Sequence, residues 1–214
     1  MIRRTAFFAL TILSAIYFLA PFEGARADEL ADCEQGQGEK QIQGCSRIIE
    51  SGVLFGNPIG KKNLAAAHNN RGGAYGAKGA LDKAIADYNI AIGLNPDYAS
   101  AYFNRGITYG DKSDVDRAIA DFNTAIRLNP EHAGAYNNRG IAFQFKGEFN
   151  RAIADYDKAI KLKPEYATAY NNRGDAYEKK GDKQRAIADY QMALALDPSH
   201  KAAEYNLKKL AESP

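Results

Sequence analysis

One spacing recurs without insertion or deletion from position 65 to position 200. Pro96, Pro130, Pro164 and Pro198 keep it, as do Gly72, Gly106, Gly140 and Gly174. So do the alanines Ala84, Ala118, Ala152 and Ala186 and the aromatics Tyr88, Phe122, Tyr156 and Tyr190. A fixed period in the range of about 20–50 residues marks one supersecondary unit copied and stacked. Four units follow: 65–98, 99–132, 133–166 and 167–200. Within the second, Tyr102, Gly106 and Tyr109 fall at helical intervals, and Ala118, Phe122, Ala125 and Ile126 do so again, so a unit reads helix, turn, helix. Gly79, Gly147 and Gly181 sit between the helices, where a helix end takes positive φ. Ser113 stands there in the second unit and predicts a slightly different turn. Asn95-Pro96 and its copies pair a capping residue with a proline suited to a helix's first turn. Small residues at the glycine and alanine positions let the two helices approach closely.

The motif Asn-Arg-Gly-x-x-(Tyr/Phe), followed by Ala-Ile-Ala-Asp-(Tyr/Phe), resembles the tetratricopeptide repeat throughout 65–200. The resemblance implies an all-α fold, an α-solenoid of antiparallel helix pairs in a right-handed superhelix. It also implies a concave face lined by the first helix of each pair, with a protein segment or another subunit as the usual ligand. In style the chain is also similar to small exported repeat proteins of Gram-negative bacteria.

An array exposes an apolar face wherever it stops. At the far end, within 201–214, Ala203, Leu207 and Leu210 form one stripe on a capping helix predicted over 199–212. At the near end, Ile42, Cys45, Ile48 and Ile49 mimic Ile85, Tyr88, Ala91 and Ile92. They predict a degenerate second helix over 41–51, then a loop about nine residues longer than standard. Further forward, Arg3 and Arg4 precede an apolar run over 6–20, and Ala25-Arg26-Ala27 has the small-x-small pattern of a cleavage site. Residues 1–27 therefore read as a signal peptide cut after Ala27, which makes the mature chain periplasmic or secreted and leaves no stable membrane insertion. An uncleaved anchor is the rival reading. Cleavage takes three arginines and one glutamate from 28 basic and 26 acidic residues, leaving 25 of each. Export makes a disulfide between Cys33 and Cys45, the only cysteines, the expected state in the segment 28–64; buried thiols are the alternative.

One departure from the family pattern is systematic. Arg71, Arg105, Arg139 and Arg173 occupy a position usually apolar, and Asp87, Asp121, Asp155 and Asp189 follow them at one constant interval. In an antiparallel hairpin these positions face each other, and a half-buried charge needs a partner. Four structural ion pairs are the preferred reading; a ladder of arginines for acidic ligands is the other. The family's geometry implies a peptide-binding groove at Asn70, Asn104, Asn138 and Asn172, joined by Asn69, Asn137 and Asn171. Phe103, Ile107, Ile141 and Phe145 give it an apolar centre, and Asp175 charges its carboxyl-terminal end. Amides suit a peptide backbone because each offers a donor and an acceptor. The alternative is that the asparagines solvate a helix face or link adjacent units. Asn69, Phe103, Asn137 and Asn171 stand where terminal-carboxylate clamps of the family carry lysine, so such a clamp is not expected.

Other classes find little support. A neutral mature chain lacks the basic footprint of a nucleic-acid binder. No spacing suggests a nucleophile, base and orienting acid, so no enzyme, cofactor or metal is expected. His68 replaces Tyr102, Tyr136 and Tyr170 and reads as packed, while His132 and His200 fall in inter-repeat turns. Asp111, Asp114 and Asp116 superficially resemble a calcium loop but lack its glycine and terminal glutamate. Two functions remain: a protein-binding module serving an envelope or secretion complex, and a structural subunit that self-assembles through its convex face or ends as a homo-oligomer.

Overall fold

The computed structural model describes residues 24–212, which hold eleven helices and one short hairpin. The apolar run over 6–20 lies outside the described residues. Four helix pairs follow one another: α3 (Lys61–Ala77) with α4 (Leu81–Leu94), α5 (Ala99–Asp111) with α6 (Val115–Leu128), α7 (Ala133–Phe145) with α8 (Phe149–Leu162), and α9 (Ala167–Lys179) with α10 (Lys183–Leu196). Before them stand α1 (Gly24–Gln35) and α2 (Gly38–Ser51), and after them α11 (Lys201–Glu212). Each helix packs on the next along the chain, and successive first helices α3, α5, α7 and α9 also touch one another. Among the described residues, successive second helices make no contact of that extent. The first helices therefore form the inner wall of an α-solenoid.

The pairs close by one device. Gly79, Gly147 and Gly181 take φ of 74°, 75° and 80°, and a backbone bond from the following residue reaches back over the helix end, as from Glu148 N to Phe143 O at 2.9 Å. This satisfies carbonyls that the helix end would orphan. Ser113 adopts the same left-handed conformation, φ 62°, with the matching bond from Asp114 N to Tyr109 O at 2.8 Å. The second turn is thus the same turn, contrary to the sequence expectation.

The linkers between units also differ from expectation. Asn95 ends α4, in extended conformation with its N–H on Ala91 O, and Pro96 lies in the turn beyond it rather than in a helix's first turn. Tyr98, His132 and Tyr166 cap the following helices. His132 Nδ1 accepts from Ala135 N at 3.1 Å, and His200 Nδ1 accepts from Ala203 N at 3.2 Å. A neutral imidazole nitrogen here satisfies a donor that the helix start leaves open.

Both ends carry caps. The apolar spacing gives no helix over α1, yet α1 and α2 form a further antiparallel pair joined by the Cys33–Cys45 disulfide. Cys33, Cys45 and Ile48 are buried with Ala67 of α3. The long loop after α2 holds an antiparallel hairpin, β1 (Val53–Leu54) and β2 (Asn57–Pro58), turning at Phe55 and Gly56. At the other end Leu210 and Leu207 of α11 cover Tyr177 and Tyr190. Among the described residues no helix is long and apolar enough to cross a membrane.

Candidate functional site

The inner wall is held by side chains that the sequence places on it once in every unit. Arg139 donates from Nε and Nη2 to the two carboxylate oxygens of Asp155, at 2.7 and 2.6 Å. Arg71 with Asp87, Arg105 with Asp121 and Arg173 with Asp189 make the same two-pronged pair at 2.7–2.8 Å. Planar guanidinium and carboxylate match in this geometry. A third bond runs back to the preceding unit: Arg139 Nη1 to Asn123, Arg105 to Asn89, Arg173 to Asp157, and Arg71 to Ser46 at 3.0 Å. Ser46 of α2 takes the place of Asn89 once the longer loop is allowed for. The pair α1–α2 is joined to the array as a repeat would be.

Rings enclose these cations. Arg139 lies 5.6 Å from the centre of Tyr136 and 5.7 Å from that of Phe143, three residues before and four after it on α7. In the first unit His68 replaces the tyrosine and instead places Nδ1 2.8 Å from Asp87. Burial pushes the Asp87 carboxyl up, but hydrogen bonds from Arg71 and His68 outweigh it and hold the group below its ordinary value. Bonding to Asp155 raises the pKa of Arg139 against the opposing effect of burial. These arginines are engaged within and between units; they are not a free ladder for acidic ligands.

The asparagines divide into two sets. Asn69, Asn137 and Asn171 are buried, Asn137 to 3% exposure, and do not line the groove. Their Oδ1 atoms accept from Asn104, Asn172 and Asn206 of the next unit at 3.0, 3.0 and 3.3 Å. A buried amide demands such partners, so this set stitches units together and engages the side-chain N–H groups of Asn104 and Asn172. Asn70 accepts a 3.4 Å bond from Asn69 and lines a cavity of about 360 Å³ with Leu30, Phe55 and Ile59 near the first cap. Asn138 lacks the opposing amide, because Phe103 holds that position in the second unit.

Phe103, expected in the groove, turns away from it. It is half-buried between units, with its ring 4.4 Å from His132 and 6.0 Å from Phe122. It serves the seam rather than the groove. Asp175 accepts from Gln144 Nε2 across the seam of units three and four. Glu178, one turn on, accepts from the Tyr190 hydroxyl at 2.9 Å and pairs with Lys209 of α11 at 2.6 Å. Asp114 caps α6 through Arg117 N and Asp116 pairs with Lys146, so neither turns toward Asp111 as a calcium loop requires.

What remains open on the inner wall is compact. Ile107, Asn138, Ile141 and Phe145 surround an apolar cavity of about 390 Å³ floored by Phe122 and Ala118. Phe145 is 81% exposed, and Ile107 is exposed beside it. The three apolar residues that the family's geometry assigns to the groove, Ile107, Ile141 and Phe145, line this one cavity. That geometry does not foresee the cavity, whose signal is Gly110, a missing side chain where the later units carry Gln144 and Glu178.

Comparisons with known proteins agree with this architecture. Models of the families described as TPR repeat and tetratricopeptide repeat match residues 72–113 and 146–181, and 99–132 and 167–200, respectively. No curated protein sequence matches significantly. Among solved structures, one described as the crystal structure of MamA is 27% identical, covering 78% of this chain and 91% of its own, with a TM-score of 0.64. The TPR domain of Arabidopsis OM64 is 29% identical over 54% of this chain and 96% of its own, with a TM-score of 0.52. The first TPR of Spaghetti (RPAP3), solved bound to an HSP90 peptide SRMEEVD, is 26% identical over 53% of this chain and 90% of its own, also at 0.52. The chain belongs to the tetratricopeptide repeat family and is built as a scaffold for protein–protein interaction.

Proposed function

We propose that this chain is an exported, non-enzymatic scaffold that holds a protein segment against the inner wall of its second and third units, in support of an envelope or secretion complex. The observation that carries this reading is the cavity between Ile107, Ile141 and Phe145, with a phenylalanine left in water at its rim. Exposed apolar side chains around a concavity mark a binding surface. The peptide held by the first TPR of Spaghetti supports a peptide ligand by likeness. Export is supported by the basic, apolar and small-residue stretches of 1–27, and by a disulfide in the first cap, since such bonds persist in oxidising compartments. Cleavage after Ala27 removes four residues from the start of α1 and keeps Cys33 in place.

A photo-crosslinking residue at position 145, compared with one at the outward Ile90, tests the surface. One protein band joined in the native envelope through position 145 and not through position 90 is expected. Equal joining at both, or at position 90 alone, would move the interface to the outer face. That outcome would favour the self-assembling subunit, for which exposed Ile90, Met192 and Tyr205 supply apolar contacts. Amino-terminal sequencing of the exported form should begin at Asp28.

A further inference from the structure

The cavity of about 390 Å³ between units two and three has a smaller counterpart of about 300 Å³ at the equivalent place between units one and two, where Gly76 and Tyr88 stand for Gly110 and Phe122. In unit three the Tyr156 hydroxyl donates to Gln144 Oε1 at 3.0 Å, and in unit four Tyr190 donates to Glu178. Each bond closes the space above the ring. In unit one the Tyr88 hydroxyl meets Thr108. Unit two has Phe122, without a hydroxyl, facing Gly110, without a side chain, so no described residue fills the space.

Asp111 stands at its rim. The residue is exposed and lines both this cavity and a neighbouring one of about 300 Å³ that includes Gly76, Ala77 and Asn104. It is the last residue of α5, where the helix dipole disfavours negative charge. The equivalent residues are Ala77, Phe145 and Lys179. The next residue, Lys112, turns to Asp82 of the preceding unit and leaves Asp111 alone. No described residue makes a hydrogen bond or ion pair with its carboxylate. Nor does the wall offer a cation of its own here, because Arg105 and Arg139 are bonded to Asp121 with Asn89 and to Asp155 with Asn123.

We propose that this groove takes a protein segment in which a bulky apolar residue stands beside a lysine or arginine, the apolar side chain entering the cavity and the cation meeting Asp111. The inference rests on the groove reading above and adds the chemistry of the ligand. It makes the groove the opposite, in charge, of one suited to an acidic tail. The Asn138 amide and the Ser113 hydroxyl on the cavity wall are polar groups that can meet the segment's backbone.

The test is an array of immobilised twelve-residue peptides with a central phenylalanine flanked by lysine, glutamate or serine, probed with the full mature chain. Affinities of the retained peptides are then measured by fluorescence polarisation. Lysine-flanked peptides should bind about fivefold to tenfold more tightly than glutamate-flanked ones, a preference that weakens as salt is raised. Asp111→Lys should reverse that order, and the fold tolerates the change because Lys179 occupies the same position in unit four. Phe145→Ser should weaken binding of every peptide. Peptides retained with no charge order, or an order unchanged by Asp111→Lys, would overturn the proposal and leave the groove reading intact. No peptide retained would overturn both. A mass that rises with concentration in light scattering and is restored to the monomer by Phe145→Ser would name a second copy as the occupant, against a separate basic segment.

Discussion

The ring of Tyr156 lies so close to Gly140 that a Cβ on that glycine would stand 2.6 Å from the ring edge. Tyr156 is fully buried and its hydroxyl is bonded, so the ring has no room to retreat. Gly140→Ala should therefore destabilise the array by about 1–3 kcal/mol through overpacking, despite alanine's higher helix propensity. Gly93→Ala, where a Cβ meets nothing within 4 Å, should be neutral or stabilise by up to about 1 kcal/mol. Urea unfolding of the two variants checks both signs.

Arg139 and Asp155 are about one-fifth and one-twelfth exposed, between the buried and the surface extremes for ion pairs. Arg139→Ala should cost about 2–3 kcal/mol, between the values for breaking buried and exposed pairs. Arg139→Leu combined with Asp155→Leu should recover much of that loss. A double-mutant cycle measures the coupling; a coupling of zero would mean that the pair is ornamental.

His132 ties stability to pH. Burial lowers the pKa of its ring, which is neutral while Nδ1 accepts from Ala135 N. The unfolded chain takes up a proton near pH 6.5, and the folded chain resists it to lower pH. This contribution is whole above about pH 6.5 and is lost as the pH falls from there through the folded pKa. His132→Tyr, the residue at the equivalent positions 98 and 166, should flatten the stability profile between about pH 7 and 5 relative to the wild type. Identical profiles would remove the ring from the account.

The Cys33–Cys45 bond closes a short loop around the start of α2. Reduction, or Cys33→Ser with Cys45→Ser, should cost about 2–3 kcal/mol. Amide exchange should rise first in α1 and α2 and last in α7 and α8. Two free thiols on labelling the unfolded, unreduced protein would defeat this.

Much of the architecture was legible because it repeats. An arginine and an aspartate at a given spacing mean little once, but four recurrences across a helix hairpin leave few other geometries. The two-asparagine set was harder to read. Asn137 and Asn138 are adjacent on α7 and about 100° apart around it, so which one turns inward depends on how the next unit approaches. Phe103 looked like a groove residue because it shares a helical face with Ile107; His132, from the following linker, draws it into the seam. The cavity escaped because it is made of what Gly110 and Phe122 lack. Helix α1 escaped because polar residues surround it on nearly every side, leaving Leu30 and the bonded Cys33 to hold it.

Every arginine bridge reaches back, never forward: Arg105 to Asn89, Arg139 to Asn123, Arg173 to Asp157. The stack consequently has a grammar in which any unit can follow any other. A duplicated unit would find its acceptor waiting, which suits growth by whole copies of the gene segment. The same interchangeability lets one chain's third unit dock where its second belongs, or where a neighbouring molecule's does. Against such slippage stand irregularities such as Ser46 in place of an amide, Phe103 meeting His132, and Lys209 meeting Glu178. Each fits one junction alone, so these odd residues number the copies and stop identical neighbours from trading places.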